Sequence, residues 1–263
     1  MTALRLGRIG YANMAPVFFR LGAFVEEDTI EEVVAVPTVL NGMVVRGELD
    51  VAPISSIAYA RSARILRLLP RLCVSSEGAV ESIQLITRAP LSSVRSVAVT
   101  PESATSVVLT KVLFPKAVHV PLDDAADADA KLLIGDAALR SAFEDPTPHH
   151  DLGRLWLEHT GLPMVFAVWA APEPLHPGLS ALEDALLASL EAARDEPEEL
   201  AHEAAARYGY PAGFLARYFE KLGYRFGPRE RAGLYTFLEL ARDVGELDEV
   251  PELRFVHPAA AAA

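Results

Sequence analysis

Four places in this sequence bring a hydroxyl, amide or carboxylate side chain to the point where an apolar strand runs into a helix. They are residues 10–13 in RIGYANMAP, 53–56 in LDVAPISSIAYAR, 100–106 in VTPESATS and 135–136 in KLLIGDAAL. In parallel α/β sheets, ligands collect beyond the carboxyl ends of the strands. The first turn of a helix there presents unbonded N–H groups and about half a positive charge. Such tips hold carboxylates or phosphates without lysine, each contributing up to about 2 kcal/mol when partly buried. The polar residues these junctions offer include Asn13, Ser55, Ser56 and Asp136, with four hydroxyls from Thr100 to Ser106. Taken singly, each is also an ordinary helix cap. Taken together they point to a cleft for a small anion, and the residues alone leave cap and contact both open.

Other chemistry is poorly supplied. There is no G-x-S-x-G elbow, no H-E-x-x-H pair and no glycine-rich phosphate loop, and GRIGYAN lacks the third glycine of a dinucleotide fingerprint. His149 and His150 lie in a proline-flanked acidic segment and read as solvated, while His119 and His159 stand alone and read as structural. Cys73 is the single cysteine, so the chain has no intramolecular disulfide and no cysteine-based zinc site, and the thiol is expected to pack in a strand. A net charge of −12 without a basic run argues against nucleic acid as a partner. No stretch reaches the roughly 18 consecutive apolar residues that cross a bilayer. The opening MTALRLGRIG reads as a strand and not as a leader peptide. A soluble cytoplasmic protein without a membrane partner is expected.

The elements that must position these residues alternate. Strands are predicted over 4–10, 31–37, 49–54, 81–88, 94–100 and 130–135. Helices follow at 13–20, at VLNGMVVRGE behind a Thr38 cap, at SIAYARSARI, at 104–114 and at DAALRSAF. This order argues for parallel sheets covered by helices on both faces. After the apolar run MVFAVWAAP at 164–172, helical spacing takes over at 179–195, 197–208, 211–221 and 228–244. With 51% hydrophobic residues the chain can fill one or two cores. No Gly/Ser linker separates lobes, so the long apolar strands at 81–88 and 164–171 are the expected crossings between them. The PAAAAA ending is expected to fray.

The ordered set IGYANMAP, GELDVAPISSIAYAR, EGAVESIQL, KLLIGDAAL and DLGRLWLEHTGLPMVFAVW, with ARYGYPAGFLARYFEKLGYRFGPRERAGLYTF near the end, runs through most of the chain. In these motifs the sequence resembles the chorismate dehydratases of the futalosine route to menaquinone. The resemblance implies an α/β, two-lobed type II periplasmic-binding-protein-like fold with a ligand cleft between the lobes. It places residues 1–86 and 172–263 in the first lobe and 87–171 in the second. It implies a dicarboxylate substrate, chorismate, and loss of water to give 3-[(1-carboxyvinyl)oxy]benzoate, with no cofactor or metal required.

The same resemblance carries the family's catalytic Asn onto Asn13 and its serine closing a G-x-V-x-S stretch onto Ser82. Ser55 and Ser56 match the hydroxyl pair after the third strand, and Thr105 and Ser106 match a helix start in the second lobe. Asp136 is a further substrate contact or a cap of its own helix. Where the family has a bulky residue before the Asn, this chain has Ala12, which loosens the wall there. No His or Glu in the motifs serves as a base, so the substrate's enolpyruvyl carboxylate is expected to take the ring proton. Two rivals remain. The sister enzyme 1,4-dihydroxy-6-naphthoate synthase carries a catalytic His in an Ile-His-Glu context, where this chain has Ile134-Gly135-Asp136. A non-enzymic small-anion binder is the other.

Overall fold

The computed structural model describes residues 3–256, so the 258–263 ending lies outside the described residues. Strand β1 (Leu4–Ile9) pairs in parallel with β2 (Ile30–Ala35), with Leu4 opposite Ile30 and Ile9 opposite Ala35. The helix expected over 13–20 is broken. A 3-10 turn at Ala12–Met14 leads into α1 (Ala15–Phe18), and α2 (Leu21–Phe24) follows. Proline sits in the first turn of α1, where its missing N–H does no harm and a helix readily begins. Asn13 is therefore left outside the α-helix. α3 (Pro37–Val45) also opens on proline, with no side-chain cap, so Thr38 is not its cap.

The chain continues through β3 (Ala52–Ser55), α4 (Ser56–Arg61), β4 (Leu66–Ser76) and β5 (Ile83–Ile86). Next come β6 (Ser96–Val99), α5 (Ala104–Leu113), β7 (Val118–Pro121), β8 (Ala130–Ile134) and α6 (Gly135–Glu144). β9 (His149–Asp151), α7 (Leu152–Thr160) and β10 (Met164–Pro172) follow. The remainder is α8 (Leu179–Asp195), α9 (Pro197–Tyr208), α10 (Ala212–Phe219), β11 (Gly223–Arg225) and α11 (Pro228–Asp243). His149 and His150 thus form an edge strand and are half-buried, not solvated. His149 is held through its ring nitrogens by Ser141 Oγ at 3.0 Å and the Thr147 carbonyl at 2.6 Å.

Besides the β1–β2 pair, two larger sheets form, in the orders β11-β4-β10-β3 and β7-β6-β8-β5-β9. The expectation of parallel sheets holds only for β1–β2, β6–β7 and β6–β8. β10 runs antiparallel to both β3 and β4, and β5 runs antiparallel to β8 and β9. The chain leaves the first large sheet at the end of β4 and returns at that same end along β10, with Met164 opposite Ser76, which dictates an antiparallel ladder. β5 and β10, the expected crossing strands, belong one to each sheet, and the crossings fall just before them.

A continuous apolar core runs through both sheets. Eight of the nine residues of β10 are buried, which suits a strand covered on both faces. Trp156 on α7 meets Phe237 on α11 edge-on, with ring centroids 6.1 Å apart, so the carboxyl-terminal helix locks against the element preceding β10. Cys73 lies fully buried in β4, as expected, and burial pushes its thiol pKa up.

Candidate active site

The ends of β1, β3 and β8, the starts of α5 and β5 and the first half of β10 converge on a cavity of about 50 Å³. Its polar lining comes from Tyr11, Asn13, Ser55, Ser82, Ser103 and Ser106, and none of its lining residues is a lysine, arginine, histidine or carboxylate. Sites for small ligands span roughly 300–1,000 Å³, so this form is closed too tightly to hold a dicarboxylate. Larger hollows lie on the outside. One of about 590 Å³ is bordered by Gln84, His150, Arg154 and Phe214 and holds none of the predicted site residues.

Asn13 is the cavity's most exceptional side chain. The 3-10 turn that carries it is preceded by Tyr11 in extended conformation and has no side-chain cap bond, so Asn13 is not a helix cap. Its Oδ1 is buried and has no hydrogen-bonding partner. A buried acceptor without a donor costs about 1–3 kcal/mol, and a ligand that supplies the donor removes that cost.

Ser82 is buried beside it. Its hydroxyl donates weakly to the Val80 carbonyl at 3.3 Å, and its own carbonyl accepts from Gly135 N at 2.7 Å. The preceding residue, Glu81, has φ of +58°, a left-handed conformation that a non-glycine residue keeps only when its surroundings enforce it. Asp151 enforces it. Its carboxylate accepts from Val80 N at 3.0 Å, Glu81 N at 2.6 Å and Gln84 Nε2 at 2.9 Å, and also from Arg154 N at 3.1 Å, capping α7. Glu81 is ion-paired to Lys221 as well.

The hydroxyls behave unequally. Ser55 faces the cavity while Asn41 brackets it, donating Nδ2 to its Oγ at 3.2 Å and accepting from its N at 2.9 Å. Ser106 also lines the cavity and shares a 2.9 Å hydroxyl contact with Ser103, whose Oγ accepts from Ser106 N at 3.3 Å and caps α5. Ser103 was not among the predicted contacts, although a serine immediately before an apolar helix is the usual cap signal. Ser56 and Thr105 do not reach the cavity. The Ser56 hydroxyl donates to the Val165 carbonyl at 2.7 Å, and Thr105 Oγ1 accepts from Ile57 N at 3.3 Å. Both are fully buried pins between elements.

Asp136 likewise corrects the expectation. It neither lines the cavity nor caps α6; its Oδ1 accepts from Ala12 N at 3.1 Å. Tyr210 donates to the Asp136 carbonyl at 2.8 Å. Burial raises the Asp136 pKa above its ordinary value. Ala12, for its part, is fully enclosed, so the wall beside Asn13 is filled. Several of the tip amides expected to face a ligand therefore bond within the protein, those of Ala12, Ile57, Ser106 and Gly135 among them. The polar surface left to a ligand is made chiefly of side-chain hydroxyls and the Asn13 amide.

Tyr11 closes the cavity from above. Its hydroxyl donates to Glu102 at 2.8 Å, tying the end of β1 to the loop before α5. Burial, then the Glu102 contact, pushes the phenol pKa far up, which keeps it protonated. Gly135, at φ of +56°, lies beneath the ring, and a Cβ there would come within 2.8 Å of it. Among the described residues, no group of three His, Cys, Asp or Glu side chains is placed to hold a metal. Among the described residues, no helix is long and apolar enough to cross a membrane.

The menaquinone biosynthesis family matches residues 4–243. The chain belongs to that family. A chorismate dehydratase of Thermus thermophilus is 34% identical over 260 residues, covering 89% of this chain and 93% of that one. A 1,4-dihydroxy-6-naphthoate synthase of Streptomyces coelicolor is 31% identical over 179 residues, covering 61% of this chain and 62% of its own. The CA3427 gene product of Candida albicans, a protein with the generic periplasmic-binding-protein fold, superposes with a TM-score of 0.72. It has 12% identity and covers 95% of this chain and 92% of that one. The family therefore has, in this chain, the two-lobed binding-protein architecture that the sequence motifs imply.

Proposed function

We propose that this protein is a hydro-lyase that dehydrates chorismate to 3-[(1-carboxyvinyl)oxy]benzoate, in the futalosine route to menaquinone. The observation that carries the reading is the unpaired, buried Asn13 Oδ1 in a cavity shared with Ser82, on a chain 34% identical to a chorismate dehydratase along most of its length. Chorismate carries one ring hydroxyl, the donor that Asn13 Oδ1 lacks. Its two carboxylates suit the hydroxyls of Ser55, Ser82, Ser103 and Ser106.

The elimination needs geometry more than strong acid or base. The enolpyruvyl carboxylate of the substrate takes the proton from the ring carbon that bears the ether oxygen. The electron pair of that C–H bond forms the new ring double bond, the neighbouring C–O bond breaks, and the hydroxyl departs with a proton as water. The gain of aromaticity drives the step. Asn13 and Ser82 hold the hydroxyl and the carboxylate in the reactive arrangement, a contribution that oriented contacts make by removing entropy from the barrier. The lobes open to admit the substrate and close over it. We assign the segment between the two crossings, from β5 through α7, to the second lobe and the flanking segments to the first, which moves the expected limits 87–171, 1–86 and 172–263 by one strand toward the amino terminus. The single buried cysteine suits the reducing cytoplasm in which this reading places the protein.

The naphthoate-synthase reading is disfavoured at Gly135. A side chain there would collide with the Tyr11 ring, so the position offers no room for a catalytic histidine. A pure binding role is separated by turnover. Purified protein mixed with chorismate alone, followed by proton NMR, is expected to yield the meta-substituted benzoate. Unchanged chorismate at enzyme concentrations that saturate binding would leave a binder.

A further inference from the structure

Tyr224 lies outside every predicted motif role, yet it reaches the residue on which the proposed chemistry turns. It stands in β11, at the edge of the first large sheet, and its hydroxyl donates to the main-chain carbonyl of Asn13 at 2.5 Å. From this geometry we infer that Tyr224 is a positioning residue for Asn13, an inference that rests on the reading of Asn13 given above.

The Asn13 side chain cannot be held by its own acceptor, because its Oδ1 has no partner in the protein. Its direction is set by its main chain. The peptide before it is held by Ala15 N donating to the Ala12 carbonyl, and the peptide after it by Met14 N donating to the Tyr11 carbonyl at 3.1 Å and by Tyr224. Ala12 and Met14 are both fully buried and act as pegs on either side. Removing the Tyr224 hydroxyl takes one of two anchors from the peptide after Asn13 and lets the Cα–Cβ direction drift, while the Met14–Tyr11 bond, the pegs and the core keep the turn folded. Misplacement of a reacting contact by about 1 Å is enough to cost 100-fold in rate, and the loss of one of several anchors moves it less.

The test compares Tyr224→Phe with Tyr59→Phe. Tyr59 is also a buried phenol, and its hydroxyl is bonded to the Glu252 carbonyl and Arg254 amide, neither of which lines the cavity. Both variants are expected to melt at similarly lowered temperatures. Y224F is expected to lose roughly tenfold in kcat with KM within about twofold of wild type, whereas Y59F keeps its kcat. The Asn13 side-chain amide resonances are expected to move in Y224F and stay in place in Y59F. Undisturbed Asn13 resonances with an unchanged kcat would overturn the role of Tyr224. If wild type fails to convert chorismate, the substrate reading falls. The resonance comparison still decides the inference about Tyr224.

Discussion

Asp136 and Asn13 show how one residue's chemistry depends on another's fixed place. The Asp136 carboxylate holds Ala12 N, and burial raises its pKa. A carboxyl whose pKa is higher folded than unfolded favours the fold at low pH and loses that contribution as pH rises through the carboxylate range. Asp136→Asn keeps an acceptor for Ala12 N and carries no charge. It is expected to be at least as stable as wild type at pH 7 in urea titrations, with the difference vanishing below about pH 4. At this scale the sequence was legible where a side chain stood at a strand end. Asn13, Ser55 and Ser106 line the cavity. Ser56 and Thr105 turn away from the cavity and pin neighbouring elements, because adjacent positions at a helix start face different sides. Ser82 was reachable only through the family motif, since nothing local marks a serine before an apolar strand. Tyr11 and Asp151 act through contacts distant in sequence.

Among the elements, the junction of β8 with α6 leaves no room for a side chain. Gly135 adopts φ of +56° and lies under Tyr11. Gly135→Ala would impose a strained conformation, costing about 1–3 kcal/mol, and would push the Tyr11 ring. Both a lower unfolding free energy and reduced turnover are expected, measured by urea denaturation and steady-state kinetics. Elements were readable where periodicity was strong. The limits of α8 and α9 fall at Leu179–Asp195 and Pro197–Tyr208, as the spacing predicts. β7, β9 and β11 have only three or four residues each, and such edge strands are defined by pairing that no local pattern records. The direction of β10 was hidden for a related reason. Its apolar run announces a buried strand, but antiparallel pairing follows from a return path through the whole second sheet.

At the scale of the molecule, the cavity is closed and too small for its proposed ligand, held shut by ties such as Tyr11–Glu102 and Ala12–Asp136. Opening must break them. Tyr11→Phe removes one hydrogen bond to a charged acceptor, worth about 1.5–3 kcal/mol, and shifts the balance toward the open form. Small-angle scattering is expected to give a larger radius of gyration for this variant than for wild type, and a contraction of both when the benzoate product is added. Equal radii throughout would argue against a hinged cleft. A net charge of −12 is compatible with the proposed anionic substrate where the pocket itself is neutral and rich in donors. The central claim is that this neutral pocket, through Asn13 and Ser82, carries out the dehydration. The most direct measurement is kcat for chorismate in Asn13→Ala and in Ser82→Ala, with folding checked by circular dichroism. A loss of about 100-fold or more in each is expected; turnover near wild type in both would contradict the roles of Asn13 and Ser82.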